Sequence, residues 1–543
     1  MKREKDRGLV FADCETNPFE KGVTVYKPFI FGAMIFTSDY KLVGYEEFYT
    51  VKDFVKRFEN EECIIYFHNG GKFDFLFFKE FFNGEMLYIN ARIAQFRIGK
   101  SEYRDSYLYI PLPLSAYEKD KFDYQKLNNF KKYKSEIRKY LKDDCLFLSE
   151  IMINFLKVFG NNLTIASSCL SYFVKSEKIT KKQYKTKSEK YDELFRQFYF
   201  GGRVEVFKSG FRRNLKCYDI NSAYPFAMLK DHPWQYSFIS SESEEDIKPY
   251  SFVICEGVSL GAFPFREKNG VQFPRDNQSR VYYVTGWEFL TAKMLGAFKG
   301  KVISVYTHLN TRNFEKYINH FYTMKENAKK KSPDYLLAKL AMNSLYGKFG
   351  QNPREFKETL VLEYEDLNES YTVDGKEYFP VAFIGNHKMI AQAKNENYTF
   401  LNVAISASIT GCQRAYLFSH LWNAKNPCYC DTDSIICENL NSENIHAKRL
   451  GAWDIEAEFS RIWFGGKKLY AGYDSEGKLI KYASKGARLE AFDFEQLITT
   501  GKVIWENDKP TFHTKGPKEC DFIQRLISQN VKRNIDIRAF EKV

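Results

Sequence analysis

Short apolar runs that end in acids alternate along this chain with long amphipathic stretches. Gly8–Asp13 is an apolar run closed by an aspartate, and Glu62–Phe67 is another that leads into His68-Asn-Gly-Gly-Lys-Phe-Asp74; both predict strands. Between 134 and 158, Ile137, Tyr140, Leu141, Cys145, Leu148, Ile151 and Phe155 recur at helical spacing and predict a helix with one buried face. The basic, polar stretch Lys175–Lys190 reads as a linker that closes a first domain. Beyond it, Leu215–Asp219 predicts a strand entering a loop and helix, and 313–350 predicts a basic helical hairpin broken near Ser332-Pro333. Asp374-Gly375, between the alternating segments 357–364 and 376–384, predicts a β-hairpin. Cys428–Cys437 reads as two strands around a tight acidic turn, while the mixed, basic C-terminal stretch predicts least. The chain has no internal repeat and no low-complexity tract.

A length of 543 residues suggests three or four domains at roughly 150 residues each. With 44% hydrophobic and 28% charged residues, the composition excludes a wholly disordered chain, a fibre and a small disulfide scaffold. No run reaches the roughly 18 apolar residues of a membrane span, and the charged start lacks the apolar core of a signal peptide. Eleven scattered cysteines, an odd number without a Cys-x-x-Cys pair, read as buried thiols of a reducing cytosol. A net charge of +12 is compatible with nucleic-acid binding. The 50 Phe and 37 Tyr suit base stacking, although AT-rich coding accounts for them in bulk more simply.

Acids supply the candidate chemistry. Asp13 and Glu15 flank Cys14 at a strand end, so both carboxylates project to one side of the pleat. Joined by others, they can hold a pair of Mg²⁺ ions about 4 Å apart for phosphodiester hydrolysis. Alone, Asp-x-Glu is a common solvated strand end. Asn69-Gly-Gly-Lys-Phe73-Asp74 adds a third carboxylate on a glycine-rich turn, and Tyr140-Leu-Lys-Asp143-Asp144 adds a fourth, with Tyr140 one helical turn before Asp144. In this order the three segments resemble the three motifs of the DEDD-type 3′–5′ proofreading exonuclease. That resemblance makes Asp13, Glu15, Asp74 and Asp144 metal ligands, has Tyr140 orient the attacking water, and gives Asn69 and Phe73 contacts to the single strand. Asp143 rivals Asp144, but the Tyr spacing selects Asp144.

In the second half, Asp219-Ile-Asn-Ser222-Ala-Tyr224-Pro225 places a carboxylate before a helix start whose amides can meet a phosphate. Asp431-Thr-Asp433-Ser434 places two more in a turn. Gathering such acids is costly unless a cation neutralises them. Between them, Lys339, Asn343 and Tyr346 fall on one helical face, with Gly347 beside the Tyr. A cation, an amide and an aromatic on one face suit a triphosphate and a stacked base.

These motifs resemble those of family B DNA polymerases, from about residue 8 to 470, with Ala223 where the palm motif usually has Leu. Other motifs resemble the protein-primed branch of phages, adenoviruses and linear plasmids. Tyr199-Phe-Gly201-Gly202-Arg203 is similar to its linker motif, which balances synthesis against editing. Lys468-Leu-Tyr470 is similar to its primer-gripping motif. Asp105-Ser106-Tyr107 with Pro111-Leu112-Pro113 is similar to a segment contacting single strand and terminal protein through Ser106 and Leu112, although Tyr107 stands where Leu is expected. Lys126 is a candidate for the branch's exonuclease-site lysine.

The resemblance implies a multidomain α+β enzyme, with an RNase H-like 3′–5′ exonuclease at 1–185 followed by a right-hand palm, fingers and thumb. The palm spans 186–312 and 396–480, with a first, terminal-protein-docking insertion at about 250–312. The fingers span 313–352, the thumb 481–543, and a second insertion for processivity and strand displacement 353–395. Asp219 and Asp433 would bind two Mg²⁺ ions, with Mn²⁺ as a substitute, and Asp431 would support them. Lys339, Asn343, Tyr346, Gly347, Tyr224 and Lys325 would hold the dNTP, with Tyr224 excluding a ribose. Ser222, Tyr199, Gly201, Gly202, Arg203, Lys468 and Tyr470 would hold DNA and primer. The implied partners are template and primer DNA and a terminal protein, with the chain a monomer or a heterodimer with that protein and no membrane. The implied compartment is the cytoplasm, the host's for a viral chain, with a mitochondrial plasmid as the other origin. Two alternatives stay open: a family B enzyme using nucleic-acid primers or none, and a non-catalytic DNA-binding scaffold.

Overall fold

A computed structural model describes residues 7–18, 26–89, 92–117, 122–268, 270–366, 368–384, 387–485, 487, 489–506, 511–512, 522–523 and 526–530. Among the described residues no helix is long and apolar enough to cross a membrane.

The N-terminal sheet is built around Gly8–Thr16. This strand pairs in parallel with Cys63–Phe67, which pairs in parallel with Ser101–Asp105; on its other side lie antiparallel Pro28–Phe36 and then Leu42–Phe48. This is the RNase H-like order. The amphipathic stripe forms the helix Phe130–Phe159, which Asn129 caps, accepting from Lys132 N at 3.1 Å; a kink at Tyr133, with φ −108° and ψ 22°, sets that first turn apart from the stretch 134–158 that the pattern predicts. It ends at Gly160, which takes φ 71°. Its buried face lies on the sheet, where Leu141, Cys145 and Leu148 join Phe11, Ile30 and Tyr66. Gly32, paired with Asp13, lets the helix come close: a Cβ there would lie 2.9 Å from Leu141 Cγ and 3.1 Å from Cys145 Sγ.

The palm is an antiparallel seven-stranded sheet. Gly210–Ile220 lies between Trp453–Gly466 and Ser434–Cys437, and Tyr429–Asp431 follows Ser434–Cys437. The helix Val403–Asn423 packs behind it, placing Leu417 and Leu421 against Tyr218, Ile220 and Ile435. The fingers are the helices Glu315–Asn327 and Pro333–Phe349, divided at Ser332-Pro333 as the sequence predicts; Ser332 Oγ accepts from Tyr335 N at 3.3 Å.

Both segments expected as insertions pair with strands outside their expected bounds. The first expected segment, about 250–312, folds together with a strand that precedes it into a four-stranded sheet of His232–Ser241, Phe298–Arg312, Phe252–Ser259 and Arg280–Thr285. In the second, Asp374-Gly375 joins Tyr371–Val373 to Lys376–Ile384, both turn residues taking positive φ. Segment 357–364 is not the hairpin's other arm: Lys357–Glu363 pairs with Lys388–Lys394, because a two-residue turn can join only its immediate neighbours. Lys357–Glu363 also pairs with Gly84–Ile89, Thr359 opposite Met86, so insertion and exonuclease share one eleven-stranded sheet. The expected thumb falls partly outside the described residues; its described part includes the helix Ala491–Thr500 and the pair Lys502–Glu506 with Leu526–Asn530.

Candidate active sites

In the exonuclease, Asp13 and Glu15 end a central strand, Asp74 opens a 3₁₀ turn after the neighbouring strand, and Asp144 comes from the long helix. Glu15, Asp74 and Asp144 are buried, whereas Asp143 is exposed, as the Tyr spacing requires. Two thiols register the convergence. Burial pushes the Cys145 thiol up, and Asp13, Asp144 and Glu15 push it further. Burial also raises Cys14, with Asp74, Asp13 and Glu15 adding to it. Cys14 Sγ donates to Asp74 Oδ1 at 3.1 Å, yet burial still drives Asp74 up to about 7. Tyr140 stacks on Phe122 at 4.1 Å and meets Tyr124 Oη at 3.1 Å. Burial first, then Asp144, raises its hydroxyl, with Glu15 a smaller cause.

Backbone register delivers the palm acids. Asp219 and Asp431 are both paired with Ser434, Ile220 N donates to Asp433 O at 2.9 Å, and Thr432 turns the chain at φ 56°. Burial, then Asp433, Glu456 and Asp454, push Asp219 up to about 7; burial, then Asp431 and Glu456, push Asp433 up to about 6. Lys468 Nζ meets Asp431 at 3.1 Å. Tyr470 is buried, its ring 5.3 Å from Tyr429. Lys339, Asn343 and Gly347 are exposed on one helix face. Tyr346 stacks on Tyr224 at 4.3 Å, joining fingers to palm. Lys325, half-buried on the facing helix, is pushed down by burial and by Lys339. Ser222, at φ 53°, precedes the helix Ala223–Met228 without capping it through its side chain.

Two expected contacts are corrected. Arg203 is interior: it pairs with Glu205, and its guanidinium lies 4.2 Å from the Phe273 ring, so DNA cannot reach it. Ser106 is fully buried and bonds Phe67 O at 3.2 Å. His68 bridges Ser106 Oγ at 2.9 Å and the carbonyl of half-buried Leu112 at 3.0 Å, so Ser106 pins the loop from inside. The candidate lysine Lys126 lies at the surface, where it meets Glu136 at 2.5 Å. Of the remaining linker and motif residues, Tyr199 lies under Gly350, Gly201 is exposed and Gly202 meets Thr432; Asn69, at φ 64°, accepts from Arg92 Nη2 at 2.9 Å, and Phe73 packs on Phe77 at 5.2 Å.

The sequence reading missed Asp454 and Glu456. Asp454 pairs directly with Asp219, and the Asp-x-Glu spacing repeats that of Asp13 and Glu15, a signal that was present in the chain. Lys481 pairs with Glu456. Among the described residues no group of three or more His, Cys, Asp or Glu side chains is gathered tightly enough to hold a metal ion. The donor chemistry still fits a hard divalent cation: these are oxygen donors, with Asp219 and Asp433 raised first by burial and then by neighbouring carboxylates whose charge a cation would offset.

Strand-borne acids in an antiparallel palm, a fingers helix with a basic exposed face and an RNase H-like domain ahead of them define a polymerase of the right-hand class. Comparison with known proteins narrows the class. The family model for DNA polymerase type B, organellar and viral, matches residues 111–449. The chain is 36% identical over 500 residues to the DNA-directed DNA polymerase of Enterobacteria phage PRD1, covering 90% of this chain and 86% of that protein. It is 29% identical over 387 residues to a probable DNA polymerase of Neurospora intermedia, covering 65% of this chain and 39% of that one. In structure it is similar to phi29 DNA polymerase complexed with primer-template DNA, at TM-score 0.73 and 18% identity, covering 97% of this chain and all of that one. The chain belongs to the type B DNA polymerases, organellar and viral, in their protein-primed branch, and is a DNA-directed DNA polymerase.

Proposed function

We propose that this polymerase replicates a linear genome from a terminal-protein primer, edits its product 3′ to 5′, and displaces the strand ahead. Synthesis rests above all on the register that puts Asp219 and Asp433 together beside the Tyr224–Tyr346 stack. Asp219 and Asp433 would hold Mg²⁺ in the palm, and Asp13, Glu15, Asp74 and Asp144 in the exonuclease. When bound, the metal (two ions per site, or Mn²⁺) supplies charge neutralisation and Lewis acidity. Lys339 binds the triphosphate, Asn343 and Gly347 line the nascent pair, and Lys325 adds positive charge. Tyr224 lies under the sugar and leaves no room for a 2′-hydroxyl. In the exonuclease, Tyr140 orients water beside Asp144. Template and primer DNA run between the halves. The second insertion, braced by the exonuclease sheet, is the wall that splits the downstream duplex. The host cytoplasm is the proposed place of action.

The test is a linear template capped by its terminal protein, offered beside the same template with a DNA primer. The reading predicts labelled dNMP transferred to the protein and extended from it. Synthesis from the DNA primer alone contradicts the protein-primed part.

A further inference from the structure

The first insertion reaches back to the polymerase turn through one exposed arginine. Arg266 lies on the short strand Phe265–Glu267. Its guanidinium leaves the insertion and grips the irregular segment that leads out of the exonuclease. Nη1 donates to Gln197 O at 2.6 Å, Nη2 donates to Tyr199 O at 2.5 Å, and the plane covers the Phe200 ring at 3.8 Å. Arg414, from the helix behind the palm, holds the next residues, donating to Phe200 O at 2.6 Å and Gly201 O at 2.9 Å. The segment then meets the catalytic turn. Arg203 O accepts from Thr432 N at 2.7 Å, and a Cβ on Gly202 would lie 2.6 Å from Thr432 Oγ1. Thr432 is the residue between Asp431 and Asp433.

Residues 197–203 have no ladder or helix to fix them, so side-chain grips such as these set where the segment lies. A rigid guanidinium fork satisfies two carbonyls at once, which a single ammonium cannot do in the same geometry. We propose that Arg266 is a positioning residue for synthesis: by fixing 197–200 it fixes the Asp431-Thr432-Asp433 turn, so the first insertion governs how firmly the primer end is held for extension. The proposal rests on the reading of the chain as an enzyme that both extends and degrades a primer.

Because Arg266 is exposed, its replacement leaves the core intact. The test uses the full chain as wild type, Arg266→Gln and Arg266→Lys, with a labelled primer–template and a labelled single strand. The readout is the dNTP concentration at which net degradation turns into net extension. The proposal expects this point to rise about tenfold in R266Q, with single-strand degradation unchanged, and R266K to stay close to R266Q. A wild-type switch point in R266Q overturns it. So does full rescue by R266K, which would make the role one of charge on DNA, or an equal loss of both activities. If the wild type degrades nothing, the exonuclease reading fails. Arg266 is then judged by the apparent KM for dNTP, which the proposal places about tenfold higher in R266Q and which, if unchanged, overturns it.

Discussion

The two acid sites are assembled by different means. In the palm, Asp219 and Asp431 come from two strands of one sheet that flank Ser434, and Asp433 from the tight turn between Asp431 and Ser434, so that hydrogen-bond register sets the spacing of all three. In the exonuclease, Asp13 and Glu15 come from a strand, Asp74 from a 3₁₀ turn, and Asp144 from a helix packed across that sheet. Register is hard to slip by a fraction of a residue, whereas a helix can ride up on a sheet by an ångström. The palm site should therefore resist packing changes that destroy the exonuclease site.

Gly32→Val is the sharpest way to break that contrast. Its added bulk meets Leu141 and Cys145, lifting the helix and with it Asp144 and Tyr140. A displacement of this size costs about 100-fold in catalysis, so single-strand degradation should fall by that much while primer extension stays within a few-fold. Comparable losses in both assays would show that the halves do not respond separately. Tyr224→Val tests the palm alone. Losing the ring that stacks on Tyr346 should raise ribonucleotide incorporation relative to deoxynucleotide by about 100-fold, with no change in degradation; unaltered sugar selectivity would remove Tyr224 from the pocket.

How far the chain could be read in advance follows the same division. The acids were legible because strand ends and helical spacing are local, so Asp13, Glu15, Asp219 and the Asp431-Thr-Asp433 turn announce themselves, and Tyr140 separates Asp144 from Asp143. Side-chain direction and long-range pairing were not legible. Arg203 and Ser106 sit in motifs that touch DNA in the resembling family, yet here they turn into Glu205 and the Phe67 carbonyl, which no spacing encodes. The partner of Lys357–Glu363 is an exonuclease edge strand far back in the chain. A lone glycine inside the apolar strand at Gly32 was a readable sign of close approach.

The shared sheet yields a milder effect. Replacing 368–380 with a short Gly/Ser bridge removes the hairpin tip and spares Lys357–Glu363, so exonuclease and single-nucleotide addition should persist. Products through a downstream duplex should shorten several-fold in single-encounter reactions; full-length displacement products would return the hairpin to surface elaboration. A last effect, on stability rather than on activity, concerns pH. His232, bonded to Ser408 Oγ and Ala227 O at 2.9 Å each, is pushed down by burial to about 4, and burial takes His308 to about 3. Both lie in the polymerase half. Their folded pKa values fall below the unfolded value of about 6.5, so their stabilisation is complete above that pH and is lost as pH falls toward 4, by on the order of 3 kcal/mol each. Urea midpoints at pH 7 and 4.5 should diverge less in His232→Gln than in wild type, with acid-induced hydrogen exchange concentrated in 232–312.

The most direct test of two separately built sites on one chain is a single gel assay. A labelled primer–template is incubated with Asp219→Ala, or with Asp13→Ala and Glu15→Ala combined, with and without dNTPs. The account predicts that Asp219→Ala shortens the primer and never extends it, while the double variant extends it and never shortens it. Wild-type shortening by the double variant would contradict the exonuclease site, and extension by Asp219→Ala would contradict the palm site.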